Sequence, residues 1–259
     1  MSQSSKTTRI LAIHAHPDDI EILCAGTLIR LKEAGCEIFM RTMTAGDCGS
    51  AELAAEHIAR KRLEEAQAAA DLLGASYDFL DFRDLQIVHD NAGRRRVTEE
   101  LREIDPDIVL TAPPVDYMSD HEMTSRLVRD ACFNAPIPNY ETLATTPASP
   151  VSKIPYLYFV DPVGGVDYYD QPIEPEFVVD ITAQFELKQK MLACHESQRD
   201  WLRKQHGMDE YLDASRRWSE QRGAKIGAIY GEGFRQYKGH PYPHDNLLLE
   251  ILNRGPLVV

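Results

Sequence analysis

No stretch of the chain approaches the roughly 20 consecutive apolar residues that a membrane helix needs. The first eight residues, Met1 to Thr8, are polar and lack the apolar core of a signal peptide, so they are expected to form a tail, disordered over 1–7. Paired cysteines are missing as well. Cys24, Cys36, Cys48, Cys132 and Cys194 are scattered, odd in number and without a C-x-x-C pair, which excludes a zinc ribbon and points to reduced thiols in a cytoplasmic protein. Basic residues are outnumbered, 28 against 41 acidic, for a net charge of -13. That balance argues against a nucleic-acid backbone or an anionic membrane as partner and leaves a small molecule open. Neither an internal repeat nor a linker composition divides the 259 residues, so one domain over 1–259 is expected.

The segment Arg9-Ile-Leu-Ala-Ile-His-Ala-His-Pro-Asp-Asp-Ile-Glu21 organises what is present. Its apolar run reads as a buried parallel strand that Pro17 stops at His16. The charges after it then stand at the carboxyl end of a core strand, where open α/β sheets place their ligands. Helical spacing follows from Ile20 to Ala34, closed by Gly35, and Glu37 to Met43 reads as the second strand. The loop Thr44-Ala-Gly-Asp-Cys-Gly-Ser50 leads to an Ala-rich helix over 51–73 ending at Gly74, then a strand over 77–82 and a helix over 94–104. Asp107 to Ala112 is a fourth strand, Pro113 to Glu122 leaves its carboxyl end, and 123–133 resumes as helix. Strands are expected again over 155–160 and 176–180, and helices over 182–205 and 207–223. The loops 134–155 and 161–175 read as a lid and a pocket wall. Alternating strand and helix predicts an α/β three-layer sandwich with a mostly parallel sheet.

His16 and Asp19, three residues apart across a turn, can reach one metal ion, while Asp18 between them points elsewhere. The second strand-end site supplies Asp120-His121 on the same sheet edge. Two imidazoles and a carboxylate suit a catalytic zinc with one position open for water, and a nearby carboxylate such as Asp18 can take that water's proton. His14 reads as a satisfied core histidine, Glu21 as a first-turn charge favoured by the helix dipole, and Asp47 as a cap for loop amides. The aromatics at Tyr168-Tyr169 and from Tyr237 to His244 fit either sugar stacking or subunit packing.

Ala15-His-Pro-Asp-Asp19 resembles the A-H-P-D-D signature of the LmbE-like/PIG-L family of zinc-dependent N-acetylglucosaminyl deacetylases. Four further segments are similar to that family in the same order: Thr44-Ala-Gly-Asp47 with Gly49, Arg62-Leu-Glu-Glu65, Lys188 to Gln198, and Gly231-Glu-Gly-Phe-Arg235. The resemblance implies a Rossmann-like fold, Zn2+ held by His16, Asp19 and His121, Asp18 as general base and Arg62 on the substrate. It also implies hydrolysis of an N-acyl, above all N-acetyl, group on an amino sugar or related conjugate, by a homo-oligomer (trimer or hexamer).

Met118-Ser-Asp-His121 departs from the family's H-P-D-H motif, because a thioether at 118 neither protonates an amine nor stabilises an oxyanion. Asp18, Arg62, Tyr117, His195, His240 and His244 are candidates for that task. Three alternatives stand beside the deacetylase reading: a mycothiol-conjugate-type amidase, a zinc-binding protein that has lost catalysis, and a Mg2+-dependent phosphotransfer receiver. The last is disfavoured, since imidazole ligands do not suit Mg2+.

Overall fold

The computed structural model describes residues 7–199 and 210–254. The tail expected over 1–7, apart from Thr7, and the last residues of the helix expected over 182–205 lie outside the described residues. Seven strands form one sheet: β1 (Arg9–His14), β2 (Glu37–Thr44), β3 (Ser76–Phe82), β4 (Ile108–Thr111), β5 (Tyr156–Val160), β6 (Phe177–Asp180) and β7 (Gly231–Gln236). Their order is β3-β2-β1-β4-β5-β7-β6. The first five run parallel, and β7 is antiparallel to both β5 and β6. Chain order reverses between β1 and β4, which creates a ligand crevice at their carboxyl ends.

Both faces of the sheet are covered, which explains the unbroken apolar run of β1. Ile10 and Ala12 pack beneath α1 (Asp19–Leu23), α2 (Ala25–Glu33), α3 (Ala55–Leu73), α6 (Phe185–Ala193) and α8 (Leu247–Asn253). Leu11 and Ile13 pack on the opposite side against α4 (Asn91–Ile104) and α5 (Ser119–Asn134). The side-chain period of two thus sends successive residues of one strand into two separate cores.

The helix expected over 20–34 is two helices, broken at Cys24. The break frees the amides of Gly26 and Thr27, which donate to the buried Glu232 carboxylate at 2.9 and 2.7 Å, while Lys188 Nζ pairs with Glu232 at 2.7 Å. A carboxylate at a helix N-terminus with an ammonium partner is well satisfied despite burial. Helix α5 begins at Ser119, earlier than expected, so His121 lies in a first turn rather than a loop. Strand β7 was not expected at all: its glycines lower strand propensity, yet a Cβ on Gly233 would stand 2.2 Å from Asp161 Oδ2. Helix α7 (Glu210–Ala224) lies across β7 and β6.

Candidate active site

Beyond β1 the chain turns sharply, with Asp18 at φ 104°, a left-handed conformation costly for a residue with a Cβ. Asp19 is anchored because its Oδ2 accepts the His16 backbone N–H at 2.8 Å. Helix α5, entered from β4, brings His121 across the crevice. His16 Nδ1 and His121 Nε2 lie 3.3 Å apart, and Asp19 places Oδ2 3.4 Å from the first and Oδ1 3.4 Å from the second. The other nitrogen of each ring faces carboxylates: His16 Nε2 lies 3.2 Å from Asp84 and 3.4 Å from Asp120, and His121 Nδ1 lies 3.1 Å from Asp116.

Protons held on those outward nitrogens leave His16 Nδ1, His121 Nε2 and Asp19 Oδ1 as free acceptors crowded together, which is repulsive unless a cation sits there. Nitrogens about 2.0–2.1 Å from a tetrahedral metal stand roughly 3.3 Å apart, the spacing observed. The residues therefore fit a metal ion, whose imidazole ligands Asp84, Asp120 and Asp116 would orient. Charge agrees. Burial alone would lower both imidazole pKa values, but Asp120, Asp19 and Asp84 raise His16 well above the usual value, and Asp19 and Asp116 raise His121 above it. Asp19 is held far below the ordinary carboxylate range, against its burial, by His121 and His16.

Two other donor groups meet similar spacing, His16 with Asp84 and Asp120, and Asp47 with Cys48 and Asp84. Their carboxylates are already engaged by the loops. Asp120 Oδ2 accepts Leu85 N–H at 2.8 Å, Asp84 Oδ2 accepts Cys48 N–H at 3.1 Å, and Asp47 Oδ1 accepts Asp84 N–H at 3.0 Å.

Asp18 stands beside this triangle. Burial raises its pKa, opposed by Arg62. Arg62 Nη2 lies 3.5 Å from Asp18 Oδ2 and donates to Pro17 O at 2.8 Å, with Nη1 reaching Gly46 O at 3.4 Å. The two glycines of the Thr44–Gly49 loop make room for this guanidinium. A Cβ on Gly46, whose φ is +66°, would stand 2.3 Å from Arg62 Nη1, and one on Gly49 2.6 Å away. The Tyr211 hydroxyl from α7 donates to Asp18 Oδ2 at 2.6 Å. Around these groups lies a pocket of about 500 Å³, walled on its apolar side by Ile22, Leu85, Tyr117, Met118, Val163 and Trp218.

The five residues expected at the site, His16, Asp18, Asp19, Arg62 and His121, all line this pocket. Among the Met118 candidates, Tyr117 lines it and packs edge-on against His121 with ring centroids 5.5 Å apart. His240 and His244 are exposed and outside it. His195 is buried with Nε2 3.5 Å from Glu21, which stands in the first turn of α1 as expected and is itself buried. His14 is a core histidine, its pKa lowered to about 4 by burial, but its Nε2 has no hydrogen-bond partner among the described residues. Tyr237 and Tyr242 pack against the core that holds Leu11 and Ile13, away from the pocket's lining. Cys48 is exposed and its thiol pKa is raised by burial and by Asp84, which disfavours a reactive thiolate.

Several matching segments serve one another. Ser197 donates to Glu65 from its backbone at 2.8 Å and from its hydroxyl at 2.5 Å, joining the stretch after α6 to the helix of Arg62. Sequence reasoning missed Asp84, Asp116 and Tyr211. Asp84 carried a usable signal, a carboxylate just past the end of β3 on the same sheet edge, whereas nothing near Tyr211 in the sequence marks it.

Comparison with known proteins follows the same edge. The family model PIG-L, GlcNAc-PI de-N-acetylase, matches residues 11–132, a span that contains His16, Asp19 and His121. The uncharacterized deacetylase YaiS of Escherichia coli is 32% identical over 153 residues, covering 56% of this chain and 80% of that protein. The 4-oxalmesaconate hydratase of Pseudomonas putida is 26% identical over 196 residues, 71% of each. Among solved structures, the N,N'-diacetylchitobiose deacetylase of Pyrococcus horikoshii superposes with a TM-score of 0.75 at 29% identity, covering 93% of this chain and 89% of that one. With the strand-end cradle, the ordered motifs and these relatives in agreement, the chain belongs to the PIG-L (LmbE-like) family.

Proposed function

We propose that this chain is a zinc-dependent hydrolase that removes an N-acyl group, in the first place N-acetyl, from an amino sugar or related conjugate. The observation that carries the reading is the triangle of bare donors on His16, Asp19 and His121 with the raised carboxyl of Asp18 beside it. Three protein donors, two of them imidazole, suit zinc with an open position. A bound ion supplies Lewis acidity at the amide carbonyl and makes the attacking water more acidic. Asp18 takes the proton from that water, its burial keeping it basic enough for the task. Arg62 holds Asp18 and contributes positive charge where the carbonyl oxygen gains negative charge. The departing amine needs a proton when the C–N bond breaks. With Met118 in the family's histidine position, Asp18 returns to the nitrogen the proton it took from water.

The pocket volume of about 500 Å³ accommodates a small conjugate. Five free cysteines suit a reducing compartment, the cytoplasm; no helix among the described residues is long and apolar enough to cross a membrane. Met118 favours a second reading, a hydratase like the Pseudomonas putida relative, since adding water to a double bond releases no amine. Against it, Arg62 is the one Lys or Arg lining the pocket among the described residues, already engaged by Asp18, and buried carboxylates surround it. A polycarboxylate substrate finds little compensation there. Zinc-loaded protein assayed with N-acetylated amino sugars and thiol-sugar conjugates decides the matter: acetate and a free amine are expected. Loss of an unsaturated dicarboxylate with no acetate release from any member of the panel contradicts the deacetylase reading.

A further inference from the structure

The family match ends at residue 132, yet a side chain far beyond it touches the base. Tyr211 is buried, projects from the first turn of α7, and donates its hydroxyl to Asp18 Oδ2 at 2.6 Å. Arg62 Nη2 approaches the same oxygen, at 3.5 Å, from the opposite motif. Among the described residues no donor reaches Asp18 Oδ1, and the N-cap position makes no side-chain cap bond to its own helix. One carboxylate oxygen is therefore clamped from two sides and the other is left for a water in the pocket. Such a clamp holds the carboxylate in one orientation where an unheld one would spread over several. Tyr211, Ala214 and Trp218 all line the pocket at helical spacing, so one face of α7 roofs the site and carries the clamp.

We propose that Tyr211 is a positioning residue for this reaction: it holds Asp18 Oδ2 so that Oδ1 faces the attacking water, and it ties the α7 roof to the base. The inference rests on the deacetylase reading for its kinetic test and on geometry alone for its structural one. Tyr211→Phe removes the donor and keeps the ring. It is expected to lower kcat on the order of 10- to 100-fold, the range for a hydrogen bond to a charged group, with KM changed less than about twofold and zinc content unaltered. In an Asp18→Asn background the same substitution is expected to cost nothing further, because its effect passes through Asp18. A KM effect without a kcat effect, or an equal kcat loss in both backgrounds, overturns the proposal and leaves Tyr211 as roof packing. A crystal structure of zinc-loaded Tyr211→Phe tests the geometry even if no substrate is found. Reorientation of the Asp18 carboxylate is expected, and an unmoved carboxylate overturns the clamp whatever the enzyme's substrate.

Discussion

The two halves of the molecule contribute different kinds of residue to one site. Strands β1, β3 and β4, all parallel, lead from their carboxyl ends to His16, Asp18 and Asp19, to Asp84 and to His121. The later half, with its antiparallel β6 and β7, supplies no metal-facing donor among the described residues. It supplies fasteners instead: Lys188 and Glu232 on the N-terminus of α2, Ser197 on Glu65, His195 on Glu21, and Tyr211 on Asp18. The difference teaches that a parallel sheet edge gathers the chemistry cheaply, because every strand ends at the same side, while precision is added by side chains reaching in from outside.

That division can be broken from either side. His121→Ala removes a donor from the edge and should abolish both stoichiometric zinc and turnover, read by metal analysis beside acetate release. Lys188→Met attacks a fastener: with Glu232 left as an uncompensated buried charge, stability should fall by about 3 kcal/mol, at the low end because two amides still serve the carboxylate. Denaturant midpoints measure it, and turnover per folded molecule should stay near normal. Asp120→Asn disturbs the orientation of His16, along with the Leu85 amide that shares the same oxygen, and should weaken zinc affinity or activity about 10- to 100-fold. Gly49→Ala pushes on Arg62 and should lower kcat/KM on the order of tenfold while zinc stays bound. Smallest of all, Tyr169→Ala, at a side chain 81% exposed, should leave stability within about 0.5 kcal/mol.

How much of this was legible follows from how each residue reaches the site. His16, Asp19 and His121 could be placed because a strand-end position is a property of local pattern, an apolar run cut by Pro17 or followed by a turn. The sheet's parallel part was legible for the same reason. Strand β7 was hidden by Gly231 and Gly233, which are there for close approach to Val178 and Asp161 rather than for strand propensity. The break at Cys24 was hidden because its cause, Glu232, lies 206 residues from Gly26. Glu21 was legible as a first-turn charge, but its partner His195 comes from the other half, and Tyr211 shows no sign of its role in any neighbouring residue.

The central claim is that Asp18 performs the proton transfer beside a zinc it does not hold. Acetate release by the parent and by Asp18→Ala, at matched zinc content, tests it most directly. The account predicts one zinc per chain in both proteins and a loss of about 10²- to 10⁴-fold in the variant, the range for removal of a general base. Unchanged hydrolysis in zinc-loaded Asp18→Ala would contradict it.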